Sequence, residues 1–316
     1  MTHSAGYLER LAVRLAQGLE AMPADRRARH ARFLAEAQNE DGGFSGREGA
    51  SDLYYAGFAL RGLVCLDALD ATTAGRAASF LRRGLTREAS IVDLVSLLYG
   101  AWVVAFSTGE DLFADQPGDW RDRLVGALEA FRADDGGYGK AAGADAGSTY
   151  HSFLVALAYD MIGRVLPDPQ GVAGFVNSRR REDGGFVEIP PMRRSGTNPT
   201  AAAVALLLKL DACDLATRNA VVPFLAAMQT AEGGLRANTR IPLADLLSTF
   251  TGLLTLIDLD GASEIDVEAC GRYAQALEQP EGGFRGGLWD EESDVEYTFY
   301  GLGTLALVSL LRQMKQ

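Results

Sequence analysis

Two side chains in the first turns of apolar helices are the candidates for handling protons: His151 and Glu296. A histidine there can act as general acid or base. Glu296 is the only carboxylate at its step among six corresponding helix starts, whose residues are Tyr54, Val95, Tyr150, Thr200, Leu247 and Glu296. One step further come Tyr55, Ser96, His151, Ala201, Ser248 and Tyr297. Asp294 precedes Glu296 and is a third candidate for acid chemistry, although its place at a helix start also suits a cap. Tyr54, Tyr55, Tyr99, Trp102, Tyr150, Tyr297 and Tyr300 lie in the same apolar segments. Aromatic faces stabilise cations and also line apolar pockets. Arg47, Arg194, Arg240 and Arg285 precede the apolar segments, at the helix N-termini that attract anions, and are candidates for holding an anionic head group.

These residues are positioned by a repeat. Asp41-Gly-Gly-Phe44, Asp135-Gly-Gly-Tyr138, Asp183-Gly-Gly-Phe186, Glu232-Gly-Gly-Leu235 and Glu281-Gly-Gly-Phe284 recur, from the second onwards, at about 48 residues. The first gap is about twice that, as if one unit had lost its turn near Arg83-Gly84, so the period implies six units. An amphipathic helix is expected at 6–21. Half-polar helices follow near 25–38, 73–85, 119–133, 168–180, 214–230 and 264–278. Apolar helices alternate with them near 52–67, 91–106, 149–163, 199–210, 246–258 and 295–312. A helix apolar all round must be buried, and one with a single apolar stripe lies at a surface. Strict alternation therefore implies an inner ring of helices inside an outer ring, with the small residues Ala59, Gly100, Ala158, Ala205, Gly252 and Gly301 leaving room for close packing or for a ligand. The starts of the inner helices, Asp52, Asp93, Ser148, Asn198, Asp245 and Asp294, read as caps.

Composition narrows the function. Acidic residues number 42 against 30 basic ones, and a net charge of −12 argues against a nucleic-acid partner. Cys65, Cys213 and Cys270 are odd in number and lie in helical runs, which suggests reduced, buried thiols. No signal peptide or membrane span of roughly 20 apolar residues is apparent. A cytoplasmic protein is expected.

The segment 282–305, Gly-Gly-Phe-Arg-Gly-Gly-Leu-Trp-Asp-Glu-Glu-Ser-Asp-Val-Glu-Tyr-Thr-Phe-Tyr-Gly-Leu-Gly-Thr-Leu, resembles the repeat of protein prenyltransferase β subunits. Gln38, Gln229 and Gln279, each four residues before a glycine, resemble the Gln-x-x-x-Gly-x-aromatic repeat of squalene–hopene-type cyclases. The resemblance covers about residues 25–312. It implies an all-α fold, a single (α/α)6 toroid over 1–316 with an extra N-terminal helix in 1–24. A central cavity would take an isoprenoid, its diphosphate, or another apolar small molecule, and a protein partner subunit is implied as well. Protein prenyltransferases bind zinc through Asp-x-Cys in one unit and Asp-x-x-His in the next. Tyr150-His151 falls at the histidine position, but Ser148 replaces the aspartate and Val95 stands where the cysteine should be. Zinc is therefore not expected. Neither the Asp-x-Asp-Asp nor the Asp-Asp-x-x-Asp cluster of the cyclases occurs in an inner helix, and a magnesium site on Glu292, Asp294 and Glu296 is weighed without being favoured. A non-catalytic toroid that carries a lipid or docks a protein is the alternative.

Overall fold

The computed structural model describes residues 6–85 and 90–314. They contain thirteen α-helices: α1 (Tyr7–Leu19), α2 (Ala24–Glu36), α3 (Leu53–Cys65), α4 (Ala71–Gly84), α5 (Ile91–Thr108), α6 (Trp120–Glu129), α7 (Thr149–Met161), α8 (Pro169–Ser178), α9 (Thr197–Lys209), α10 (Leu215–Ala226), α11 (Leu246–Asp258), α12 (Val267–Leu277) and α13 (Val295–Gln313). Every expected helix is present, with ends shifted by a few residues. Burial follows the alternation. The even-numbered α2 buries only His30 and Leu34, and α6 only Leu128, whereas α13 buries twelve of its residues. The described residues include one strand pair, β1 (Phe284–Arg285) antiparallel to β2 (Ser293–Asp294), and a single 3-10 turn at Ala262–Glu264.

The Gly-Gly turns show why the motif recurs. Gly282 has φ +104°, and a Cβ there would lie 2.5 Å from the carbonyl oxygen of Arg29 in α2. Left-handed backbone and close approach both require glycine. Its neighbour Gly283 lies under the Phe33 ring, 2.8 Å from where a Cβ would sit. Earlier turns repeat this contact on the next even-numbered helix: the second glycine meets Phe80, Phe175, Phe224 and Tyr273 in turn. The last turn thus treats α2, at the start of the chain, as its following helix. The aromatic or leucine after each glycine pair is fully buried. In four turns its backbone N–H donates to a hydroxyl one turn into the next odd-numbered helix: Tyr138 to Ser152, Phe186 to Thr200, Leu235 to Thr249 and Phe284 to Thr298.

The chain falls into two compact units. Unit 1 comprises Met1–Pro117 with Ala274–Gln316, and unit 2 Gly118–Tyr273. In unit 1, α13 packs on α1 and α3, and α5 on α3 and α4. In unit 2, α9 lies between α7 and α11, with α8 on α9 and α10 on α11. Of the described helices, α5 is long and apolar enough to cross a membrane, and 56% of it is buried inside the protein.

Two of the expected caps take other places. Ser90 caps α5, and Asp93 closes the box by accepting the Ser90 N–H. Gly196 caps α9, which puts Asn198 inside the helix, where its side chain accepts from Thr251. Asp52, Ser148, Asp245 and Asp294 do cap their helices. The glutamine register also shifts once. The residue bridging Phe284, as Gln38 bridges Phe44 and Gln229 bridges Leu235, is Glu278 and not Gln279.

Candidate functional site

In unit 1 the first turns of α3 and α13 meet around Glu296. The Tyr54 hydroxyl donates to Glu296 Oε1 at 2.6 Å. Tyr54 and Tyr300 both pack edge-on against Phe58, with ring centroids 4.9 and 5.2 Å from it. Burial raises the Glu296 carboxyl above the ordinary carboxylate range. The charge of Asp294 adds to this, while hydrogen bonds from Tyr54 and Tyr300 work against it. Glu296 is thereby biased towards its protonated form, in which it can donate a proton.

Beside it opens a polar cleft of about 570 Å³, lined by Arg47, Glu48, Tyr55, Trp289, Asp290, Glu292, Asp294, Glu296 and Tyr297. Arg47 bridges the cleft. Its Nη1 donates to Asp290 Oδ1 at 2.9 Å and its Nε to Asp294 Oδ2 at 3.1 Å, and its guanidinium lies 5.8 Å from the Tyr297 ring centroid. Burial pushes Asp290 up, but hydrogen bonds from Arg47 and from the Gly286 and Glu292 N–H groups outweigh it and hold the carboxyl below its usual value. Asp294 differs: burial prevails and raises it, even though it caps α13 by accepting the Tyr297 N–H at 2.8 Å. Burial, followed by the charges of Glu296 and Asp294, raises the Tyr55 hydroxyl.

Of the other candidates, Tyr99, Trp102 and Arg285 belong to unit 1 and Tyr150, His151, Arg194 and Arg240 to unit 2. Tyr99 is buried in α5, its ring 5.5 Å from Trp102 and 4.5 Å from the guanidinium of Arg61. Arg285 donates to the carbonyls of Asp290 and Ala276, so it serves the turn that carries it. In unit 2, Arg194 reaches the Thr239 hydroxyl at 3.5 Å, and Arg240 is exposed. Tyr150 is 38% exposed beside His151, its ring centroid 5.6 Å away. His151 Nδ1 lies 2.8 Å from Ser148 Oγ, and burial, with the charge of Lys140, lowers the imidazole below its ordinary value.

Sequence reasoning passed over four groups. Arg61, halfway along α3, is stacked over Tyr99 and Phe58 and has no carboxylate partner among the described residues. Glu188 contacts Ser148, beside His151. His30, fully buried, accepts the Gly283 N–H at Nδ1 (3.1 Å), so its proton is on Nε2, which donates to Glu278 Oε1 at 3.1 Å. Glu278 also pairs with Arg26. Its position in the repeat was the one available signal, since it replaces a glutamine. As for the metals weighed above, Asp93 is committed to its capping box, Val95 has no donor atom, and His151 Nδ1 faces Ser148. Among the described residues, no three His, Cys, Asp or Glu side chains are grouped to hold a metal ion. The thiols of Cys65 and Cys270 are buried and pushed up to about 12 by that burial.

The fold is shared with proteins of different chemistry. The chain is similar to protein geranylgeranyltransferase-I of Candida albicans, complexed with GGPP, at 16% identity and a TM-score of 0.71, covering 89% of this chain and 90% of that one. It is also similar to a variant of the type II terpene cyclase MstE of Scytonema in complex with geranylgeranyl dihydroxybenzoate, at 14% identity and a TM-score of 0.62, covering 95% and 99%. A third similar structure is an inactive alpha-1,6-mannanase variant of Salegentibacter in complex with alpha-1,6-mannotriose, at 13% identity and a TM-score of 0.63, covering 91% and 99%. At these identities the likeness is one of fold. No curated protein matches the chain. The model of the prenyltransferase alpha-alpha toroid domain matches residues 8–158 and 143–316, nearly the whole sequence. The chain belongs to the prenyltransferase alpha-alpha toroid family, and its alternating helix pairs are those of an (α/α)6 toroid.

Proposed function

We propose that the protein binds an isoprenoid, as the free chain or its diphosphate, and exchanges protons with it through Glu296. The observation that carries this reading is the buried Glu296 carboxyl under the Tyr54 hydroxyl, with aromatic rings beside it. A carboxyl biased towards protonation can act as a general acid, and aromatic faces steady the cationic charge that isoprenoid reactions develop. The similar Candida and Scytonema proteins are complexed with GGPP and with geranylgeranyl dihydroxybenzoate, which makes prenyl compounds the first ligands to try. Arg61 offers an anionic head group a guanidinium that no described carboxylate occupies. Ser148 and Val95 occupy two of the positions from which the family binds zinc, so no metal is given a role here.

A protein that only holds its lipid, or that docks a partner subunit, is the competing reading. It draws on Leu288 and Trp289, which are 47% and 55% exposed and would suit a protein surface. Native mass spectrometry with geranyl, farnesyl and geranylgeranyl diphosphates, followed by product analysis, tests both. A one-to-one complex is expected, with turnover lost in Glu296→Gln. Binding without turnover in the wild type favours the carrier, and failure of all three to bind sinks the isoprenoid reading.

A further inference from the structure

Ser148 has one proton and two groups competing for it. Its Oγ accepts the backbone N–H of His151 at 3.1 Å, lies 2.8 Å from Nδ1 of the same residue, and contacts Oε1 of Glu188. A hydroxyl donates once. If it donates to an ionised Glu188, Nδ1 must carry the ring proton and donate to Oγ, which leaves Nε2 bare. If Glu188 is protonated and donates to Oγ, the hydroxyl turns to Nδ1 and the ring proton resides on Nε2. Glu188 is held for either arrangement. The Tyr150 N–H reaches its two oxygens at 3.2 and 3.3 Å, and the Thr149 N–H donates to its backbone carbonyl at 3.0 Å.

We propose that Glu188, Ser148 and His151 form a proton relay that takes up a proton at Nε2 and neutralises the Glu188 carboxylate, with the imidazole uncharged before and after. The incoming proton forms the Nε2–H bond. The Nδ1–H bond breaks as its proton passes to Ser148 Oγ, and the original hydroxyl proton passes to Glu188. The three groups together go from one negative charge to none, and no electrons are transferred. In a reaction the proton comes from a substrate hydroxyl or from a carbon beside a cationic centre, and in the test below it comes from water. The surroundings favour this route. Burial, followed by the charge of Lys140, disfavours an imidazolium at His151, and burial also favours a neutral Glu188. Lys140 is the charged group whose field acts on this histidine, Glu188 is reached through Ser148, and the Tyr150 ring stands beside it. His151 is the member that would touch a substrate, and Ser148 and Glu188 are positioning residues.

The relay rests on the isoprenoid reading only for its substrate, so it can be tested with none present. The chain has three histidines, so NMR of protein carrying isotope-labelled imidazole nitrogens follows each ring separately. As pH falls, His151 should change from the Nδ1–H to the Nε2–H neutral form before any imidazolium appears. Glu188→Gln should abolish that switch and leave one neutral form until the ring itself charges. Ser148→Thr retains a hydroxyl and should retain the switch, which separates loss of the relay from loss of the helix cap. Direct charging of His151 in the wild type, with the same midpoint in Glu188→Gln, overturns the relay. That result would leave the isoprenoid reading standing, and failure of prenyl diphosphates to bind would leave the relay standing.

Discussion

Glu278 occupies the place that Gln38 and Gln229 hold in their own turns, and replacing an amide by a carboxylate changes what the position can hold. The glutamine amides donate to backbone carbonyls: Gln38 to Gly42 and Thr73, Gln229 to Gly233 and Asp266. A carboxylate cannot donate, and Glu278 instead accepts from Arg26 and His30 on α2. Burial alone would raise its carboxyl. The hydrogen bonds from His30 and Arg26 and the charge of Arg26 prevail and hold it at about 2, against an ordinary 4.5. A carboxyl depressed in the folded state stabilises it fully above the ordinary value, and that contribution disappears as pH falls towards the depressed one. The shift corresponds to on the order of 3 kcal/mol. Glu278→Gln should therefore be less stable than the wild type in urea unfolding at pH 7 by about that amount, with the deficit shrinking as pH falls from about 5 towards 2. A deficit independent of pH would show that the charge of Glu278 is not what stabilises the contact.

At the scale of elements, four of the five Gly-Gly turns are each fastened to the helix that follows by one buried hydroxyl. Thr298 is fully buried, accepts the Phe284 N–H at 3.1 Å and donates to the Asp294 carbonyl at 2.6 Å. Thr298→Val keeps the volume but leaves the Phe284 N–H without a partner, at a cost of about 1–3 kcal/mol. Thr298→Ser should recover most of the loss. Urea unfolding of the two variants decides the matter, since equal losses would point to the methyl group instead. Helices of this kind were legible in the sequence because hydrophobic periodicity and the turn motif agree; α11 lies at 246–258 as expected. Cap phase was less legible, because several cap-forming residues cluster before one helix. The Ser90-Ile-Val-Asp93 box carried a readable signal all the same. The site was legible only in part. Glu296 stood out as the one carboxylate in its column, but its bond to Tyr54 spans 242 residues and depends on how the first and last repeats meet. The same holds for Arg47 with Asp290, and across a shorter span for Ser148 with Glu188. Periodicity locates residues within a repeat and carries no information about such partners.

At the scale of the whole molecule, unit 1 is assembled from both ends of the chain. The two segments, Met1–Pro117 and Ala274–Gln316, are joined by α13 packing on α1 and α3 and by the contact of the last turn with α2. Such pairing has a large loop-closure cost, so it must be offset by a well-packed interface. The α1 helix supplies part of it, burying Ala12, Leu15, Gly18 and Leu19. At thirteen residues it would be only marginally helical alone in water. Gly18 sets how near it comes to α13, because a Cβ there would collide with the Ala306 backbone carbonyl. Gly18→Leu should push α1 off α13 at a cost of about 1–3 kcal/mol, the usual range for overpacking. Hydrogen exchange read peptide by peptide would show where the loss falls. Protection should drop first in α1, α3 and α13, while peptides from 118–273, which make up unit 2, should change less. An equal loss of protection in both units would mean that the two unfold together, and that the helix pairing of the chain ends has no separate stability of its own.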